Sequence, residues 1–315
     1  MIVVRSPLRI TLGGGGTDIP SYYEKHGGTA IAAAIDKYVY ITVHETFVDD
    51  LIVKYSQLER VKSAEQIQHP IVREAMGMLG IDGRGLEISS MADIHAGTGL
   101  GSSGSFTTAL LKALHTWRRD FVQPCELAEQ ACHVEIDLCD RAVGKQDQYI
   151  AALGGITQMR FGVDGQVTCS PATMPSDTRH ELEDNLLLFY TGYTRAAADI
   201  LGSSPGVDLD EVKECGYDME RVLEVGDLDS VPRLLNRQWE IKQHQPRALN
   251  KDIVRWYRLG LSNGALGGKL VGAGGGGFLL FYAEDKRRLR GAMADAGLRE
   301  VRFRFDDEGT RVVVS

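Results

Sequence analysis

Apolar positions in this chain change rhythm repeatedly, and each change marks an expected element. Over 2–5, 8–12, 38–46 and 51–55 they alternate or run together as strands do, and 85–90 repeats the pattern. Helical spacing takes over at 19–26, after Asp18 as a candidate cap, and at 65–79 with a bend at His69-Pro70. It returns at 103–118, where Phe106, Ala109, Leu110, Ala113, Leu114 and Trp117 share one face. A further helix is expected over 124–139, opened by Pro124 at its first position. Short strands at 157–161 and 167–170 flank the turn Asp164-Gly165, and the polar, proline-containing stretch 170–184 reads as a domain boundary. Beyond it come a strand at 186–190, helices near 208–225, 229–243 and 250–262, strands at 269–271 and 278–282, a helix at 285–296 and two closing strands. Strand and helix mix without regular βαβ alternation, which predicts an α+β fold rather than a doubly wound α/β sheet, divided into 1–175 and 176–315.

Composition narrows the function more than the fold. The 315 residues are 43% hydrophobic and 25% charged, ordinary for a globular chain with ample core. The net charge of −8 comes without any long Lys/Arg stripe, which speaks against extended nucleic-acid binding. An anionic ligand must then be met by local donors. Cys125, Cys132 and Cys139 recur every seven residues on one expected helix and read as small apolar residues of one face. No Cys or His spacing suits zinc, and five cysteines fit a reducing, cytoplasmic setting. The early charge at Arg5 argues against a signal peptide, and no apolar run is long enough to span a bilayer.

Glycines gather in three clusters, 13–16, 97–104 and 272–277. The second, Gly97-Thr98-Gly99-Leu100-Gly101-Ser102-Ser103-Gly104-Ser105, lies between a strand pattern and a helix pattern. Glycines let backbone N–H groups approach an anion closely, and the following helix start attracts phosphate. Ser102 and Ser103 add hydroxyls that could reach a metal; the same residues also read as a glycine turn with a serine cap. A Walker loop is excluded because no Lys follows Gly101, and the G-x-G-x-x-G at 272–277 leads into a strand, not the helix a dinucleotide fold requires. Three such clusters, far apart in sequence, point to loops converging on one ligand. Arg9, inside an apolar strand, is either a structural ion-pair partner or a site cation. Glu135 and Asp147 flank a glycine turn. One carboxylate near a metal and one near an alcohol is what phosphoryl transfer requires, although either alone reads equally as a solvated helix acid. His44, His115, His133 and His244 read as structural.

Taken together, segments 9–18, 97–105 and 269–278 resemble the three ordered motifs of the GHMP kinases, and the resemblance extends over nearly the whole chain. It implies two α+β lobes, an amino-terminal ATP-binding domain over 1–175 and a carboxyl-terminal domain over 176–315, with the active site in the cleft between them. The words Ser6-Pro7-Leu8-Arg9-Ile10, Gly13-Gly14-Gly15-Gly16-Thr17-Asp18, Ser21-Tyr22-Tyr23, Gly144-Lys145-Gln146-Asp147-Gln148 and Gly274-Gly275-Gly276-Gly277-Phe278 are most similar to the heptose 7-phosphate kinases of that family. These phosphorylate the anomeric hydroxyl of a sugar already carrying a distal phosphate, giving a heptose 1,7-bisphosphate.

The resemblance also assigns roles. Asp147 matches the aspartate that accepts the hydroxyl proton, and Arg9 the basic residue that offsets developing charge. Gly97, Gly99, Leu100, Gly101, Ser102, Ser103 and Gly104 match the cradle for the phosphates of ATP, with Ser103 and Glu135 as Mg2+ ligands. Asp18 matches the residue that receives sugar hydroxyls; Gly15, Thr17, Gly275 and Gly276 line the sugar side. Lys145 and Arg195, with Lys25, His26 and Arg141 behind them, are the candidates for the distal phosphate. The implied partners are ATP and a phosphosugar, with no nucleic acid or membrane; a homodimer is one reading of an oligomeric state the sequence leaves open. The alternatives are a sugar 1-kinase acting on an unphosphorylated sugar, fucokinase-like or uronic-acid-kinase-like, and a GHMP-fold protein that binds ligand without catalysis.

Overall fold

The computed structural model describes residues 1–194, 208–243, 250–272 and 276–315. Its first sheet is built on one long hairpin, β1 (Ile2–Gly13) against β2 (Gly28–Glu45), with the short helix α1 (Pro20–His26) between them. The two strands expected at 2–5 and 8–12 are a single strand: Pro7 does not end it, and the register shifts between Pro7 and Leu8 instead. β2 begins ten residues before the alternation that predicted it, because Ala30, Ala32, Ala33 and Ala34 are wholly buried and no polar face shows.

β3 (Leu51–Lys54), β4 (Leu58–Val61) and β5 (Leu86–Ala92) extend the sheet beyond β2. β6 (Ile156–Phe161) and β7 (Val167–Pro171) continue from the other half of β2. Helix α2 (Pro70–Met78) is separated from a 3-10 turn at Ala64–Gln66, so the expected bend is a break. α3 (Ser102–Arg118), α4 (Pro124–Cys132) and α5 (Gln146–Leu153) cover one face of the sheet. α4 runs on into a π-helical turn, His133–Leu138. The expected stripe of cysteines does not hold: Cys125, in the exposed first turn of α4, is open to solvent, Cys132 at its end is buried, and Cys139 lies beyond the π-helical turn, half-buried.

The expected boundary at 170–184 carries β7's end and a polar helix, α6 (Ser176–Asn185), which buries only Thr178 and Leu182 and so left no apolar stripe. A second sheet follows, ordered β11 (Arg299–Val301), β8 (Leu186–Tyr190), β10 (Phe278–Ala283), β9 (Ala265–Val271), all neighbours antiparallel. Helices α7 (Leu209–Val225), α8 (Val231–Gln243), α9 (Lys251–Leu261) and α10 (Lys286–Asp295) belong to this half. The last strand, β12 (Arg311–Val314), crosses back to pair with β1.

β1 is buried on both faces from Ser6 to Gly13. Val4 joins the core under α3 to α5, whereas Leu8, Ile10 and Leu12 join a second core with Met219 and Leu223 of α7, Leu234 of α8, and Leu188, Phe278 and Leu280 of the second sheet. The two sheets therefore share a core across β1, and polar residues at its end are held between them. A third core lies on the far face of the second sheet, where Trp239, Ile253, Phe281 and Met293 pack. Among the described residues no helix is long and apolar enough to cross a membrane.

Close approach of α7 to the hairpin depends on Gly216, where an added Cβ would stand 2.8 Å from Thr29 Cγ2 and 3.0 Å from Gly14 Cα. Gly77, also helical, has nothing within 4 Å of its Cβ position. Gly216→Ala is expected to destabilise by roughly 1–3 kcal/mol through overpacking. Gly77→Ala should stabilise by roughly 0.5–1 kcal/mol through helix propensity. Denaturant midpoints of the two variants check the opposite signs.

Candidate active site

Arg9 stands near the middle of β1 with its side chain 7% exposed. Its Nε donates to Asp147 Oδ1 at 2.7 Å, its NH1 to the Gly99 carbonyl at 2.5 Å, and its backbone N–H to the Leu100 carbonyl at 2.9 Å. One residue thus fixes β1, the second glycine cluster and the first turn of α5 against each other. Asp147, in that first turn, keeps a side chain 26% exposed. The glycines around the pair are required by contact: a Cβ on Gly101 would stand 3.1 Å from Arg9 Cγ and 3.3 Å from Asp147 Cγ, and one on Gly104 would stand 2.9 Å from Asp147 Cβ.

The second cluster is a loop of left-handed backbone. Gly97, Gly99 and Gly101 have φ of 81°, 82° and 77°, and Gly101 precedes α3 without any side-chain cap. The first N–H groups of this 17-residue helix are left for a ligand or water. Ser102 Oγ is buried there with no hydrogen-bond partner among the described residues. The serine cap considered from sequence is absent.

Ser103 Oγ donates to Glu135 Oε2, and Arg141 NH1 donates to both oxygens, at 2.5 Å and 2.7 Å. Glu135 Oε1 accepts from Thr107 and Gln148, each at 3.0 Å. The Glu135 side chain, on the π-helical turn, is 0% exposed; burial pushes its carboxyl above the ordinary range against the pull of Ser103, Arg141, Thr107 and Gln148. Among the described residues no group of three His, Cys, Asp or Glu side chains is placed to hold a metal. Ser103 and Glu135 offer two hard oxygens beside the glycine loop, a donor set that suits a divalent ion sharing its remaining positions with phosphate and water.

Asp18 does not cap α1, whose N-cap is Ile19 without a side-chain bond. Its carboxylate instead accepts from Gly16 N at 2.9 Å, Gln146 N at 3.1 Å and Gln146 Nε2 at 3.2 Å. Gln146 in turn accepts from Thr11 Oγ1 at 2.7 Å, so the first motif is tied to the start of α5. Burial, then the nearby Asp147 charge, pushes the Asp18 carboxyl up. Gly144 leaves room for the Asp18 carboxylate, which a Cβ there would strike. Thr17 is inside the loop: its hydroxyl donates to Gly14 and Thr29 carbonyls and accepts from Thr29 N–H. Gly15 lies against Thr11 and Gln146.

The third cluster meets the second backbone to backbone. A Cβ on Gly272 would stand 2.5 Å from Gly99 Cα, and one on Gly277 would strike the Thr98 carbonyl. Gly276 sits against the Tyr193 carbonyl. Arg195 and Gly275 lie outside the described residues. Lys145 is committed elsewhere, its Nζ 3.3 Å from both Glu129 oxygens and 2.9 Å from the Gly165 carbonyl.

Two lysines near Arg9 were not anticipated. Lys242 donates to the Leu270 and Gly272 carbonyls, and Lys269 donates to Gln238 Oε1 at 2.7 Å and the Leu12 carbonyl at 3.3 Å. Burial and the Arg9 charge pull Lys242 down to about 8; burial, Lys242 and Arg9 pull Lys269 well below its ordinary value. Lys269 had the signal that marked Arg9, a cation within an apolar strand; Lys242, on an amphipathic helix, had none.

Residues 62–155 match the family model for the GHMP kinases N terminal domain and residues 219–297 that for the GHMP kinases C terminal, together more than half of the chain. A D-glycero-alpha-D-manno-heptose 7-phosphate kinase of Campylobacter jejuni is 27% identical, covering 91% of each chain. An L-fucokinase/L-fucose-1-P guanylyltransferase of Bacteroides fragilis is also 27% identical over 98% of this chain, which spans only 38% of that longer protein. Among solved structures, a putative sugar kinase from Campylobacter jejuni has a TM-score of 0.78 at 26% identity, covering 99% of this chain and 97% of that one. A D-glycero-D-manno-heptose 1-phosphate kinase from Bacteroides thetaiotaomicron superposes with a TM-score of 0.83 over 100% and 99% of the two chains, at 24% identity a likeness of fold. The fold is that of a kinase with GHMP N- and C-terminal domains. The chain belongs to the GHMP kinases.

Because Lys242 binds its proton less tightly folded than unfolded, protonation opposes folding. The penalty is complete below about pH 8 and fades as pH rises towards about 10.5, so this group makes stability increase with pH across that window. Lys242→Met should remove as much as one proton's worth of slope, about 1.4 kcal/mol per pH unit. Unfolding free energies of both proteins at pH 8, 9 and 10 give the comparison; equal slopes would refute it.

Proposed function

We propose that this chain is an ATP-dependent sugar kinase that phosphorylates the anomeric hydroxyl of a heptose 7-phosphate, releasing the heptose 1,7-bisphosphate, with 1–175 as the nucleotide-side lobe and 176–315 as the second. The observation that carries the reading is the Arg9–Asp147 pair at 2.7 Å, set directly against the glycine loop that opens α3. The Campylobacter jejuni heptose 7-phosphate kinase, matched over 91% of each chain, supports the choice of substrate.

The N–H groups opening α3 receive the nucleotide phosphates. Ser103 and Glu135 would hold a magnesium ion, which when bound neutralises phosphate charge. Asp147 accepts the hydroxyl proton as its oxygen attacks the γ-phosphorus, and the bond to the leaving ADP oxygen breaks in line. Arg9 fixes the carboxylate's position and stabilises the charge that develops beside it. Asp18, buried and within reach of the Asp147 charge, orients the sugar by its hydroxyls. Lys145, proposed for the distal phosphate, has its ammonium engaged by Glu129 and Gly165 and would have to exchange those partners to serve there.

That engagement of Lys145, with the equal identity to an L-fucokinase, is what favours the second reading, a 1-kinase for an unphosphorylated sugar. A coupled ADP-release assay decides between them. Turnover with heptose 7-phosphate and little with free L-fucose is expected; the reverse would replace the first reading by the second. Asp147→Asn should lower turnover by about 10²–10⁴-fold while AMPPNP affinity stays within a few-fold. Undiminished turnover in that variant would remove Asp147 from the chemistry.

A further inference from the structure

Arg141 was a reserve candidate for the sugar's distal phosphate, yet its guanidinium lies on the nucleotide side. NH1 sits between Ser103 Oγ at 2.5 Å and Glu135 Oε2 at 2.7 Å, the same two oxygens that the kinase reading gives to a divalent ion. A cation bound by both oxygens and the Arg141 NH1 cannot share that space. Glu135 is 0% exposed, and of its donors Ser103, Thr107, Gln148 and Arg141 only the last is charged. A carboxylate so deeply buried is costly without a counter-charge.

Arg141 is also placed to leave. It lies on the irregular segment between the π-helical turn and α5, next to Asp140 with φ 48°, and its side chain is 31% exposed. It is bonded to Glu135 at both ends of the loop it closes, by backbone N–H to the Glu135 carbonyl at 3.1 Å and by side chain to the carboxylate. The backbone tether can persist while the side chain turns.

Resting on the kinase reading, we propose that Arg141 is an exchangeable counter-cation: it neutralises Glu135 until a divalent ion arrives with nucleotide, then turns from the carboxylate to the nucleotide phosphates. Ion alone must drive Arg141 off Glu135 with no new anion to receive it. Ion with nucleotide supplies that anion, and a guanidinium binds phosphate by charge-assisted, bidentate bonds. The exchange makes ion and nucleotide binding cooperative through one side chain, and by linkage each raises the other's affinity equally. Arg141 is a positioning residue in this scheme, not a proton-transfer group.

The test measures Mn2+ binding by electron paramagnetic resonance of the free ion, with and without AMPPNP, in the full chain and in Arg141→Gln. In the unaltered protein Mn2+ alone should bind weakly and AMPPNP should tighten it strongly. In Arg141→Gln, Mn2+ alone should bind roughly tenfold more tightly, and the enhancement by AMPPNP should shrink by a similar factor. Arg141→Lys keeps a cation on Glu135 and guards against misfolding of the neutral variant. It should leave Mn2+ binding without nucleotide within about threefold of the parent but weaken AMPPNP several-fold by losing the fork. Unchanged ion affinity in a folded Arg141→Gln, or unchanged AMPPNP affinity in Arg141→Lys, overturns the exchange while leaving the kinase reading intact. Failure of the unaltered chain to bind Mn2+ and AMPPNP together overturns both.

Discussion

The buried guanidinium of Arg9 is the constraint around which the rest is arranged. A strand interior cannot hold an unpaired charge; removing one partner from a buried pair costs about 3–5 kcal/mol. The partners must therefore come to Arg9. They do so as the Asp147 carboxylate from the start of α5 and the Gly99 carbonyl from the second glycine loop. Both elements must approach β1 closely, which leaves no room for side chains at positions 101 and 104. The glycines thus serve the ion pair as much as any ligand, and the flexibility that glycine gives the unfolded chain is offset by the close approach it permits in the folded one.

The same economy of space extends across the two sheets. β1 contributes Leu8, Ile10 and Leu12 to a core shared with the second sheet, so its carboxyl end lies where the halves meet. There the second and third glycine clusters touch through Gly99 and Gly272, while Asp18 and Gln146 join the first cluster to α5. Three carboxylates end up in three environments. Glu135 is enclosed with four donors, Asp18 is enclosed and feels Asp147, and Asp147 alone keeps access to solvent. Distinct surroundings are what let chemically similar groups take distinct tasks.

α3 and α7 could be read from the helical spacing of their apolar residues, and β8 and β10 as short unbroken apolar runs; all four fall within a residue or two of expectation. The misses have two opposite causes. The first part of β2 and the join within β1 are buried on both faces, so alternation carries no information there. α6 fails in the opposite way, since it buries almost nothing. In the site, residues announced by glycines or by a charge in an apolar run were legible: Arg9, Ser103, Glu135, Asp147 and Asp18 are brought to one region. What the sequence did not reveal is the partner of each side chain. Lys145 and Arg141 are both basic residues within a few positions of Asp147, yet one is bound to Glu129 and the other to Glu135. Only packing distinguishes them.

The net charge of −8 bears on this directly. An acidic chain repels anionic ligands at long range, but the field inside a low-dielectric cleft is set by the nearest charges. Around Arg9 these include Lys242 and Lys269: the Arg9 charge lowers both lysines, and Lys242 lowers Lys269 further. Lys242 and Lys269 are held by the carbonyls of Leu270, Gly272 and Leu12 and by Gln238, neutral partners that bring no counter-charge. Burial first, and then repulsion from Arg9, makes protonated lysines costly in the folded chain. An anion placed beside the lysines would offset that cost.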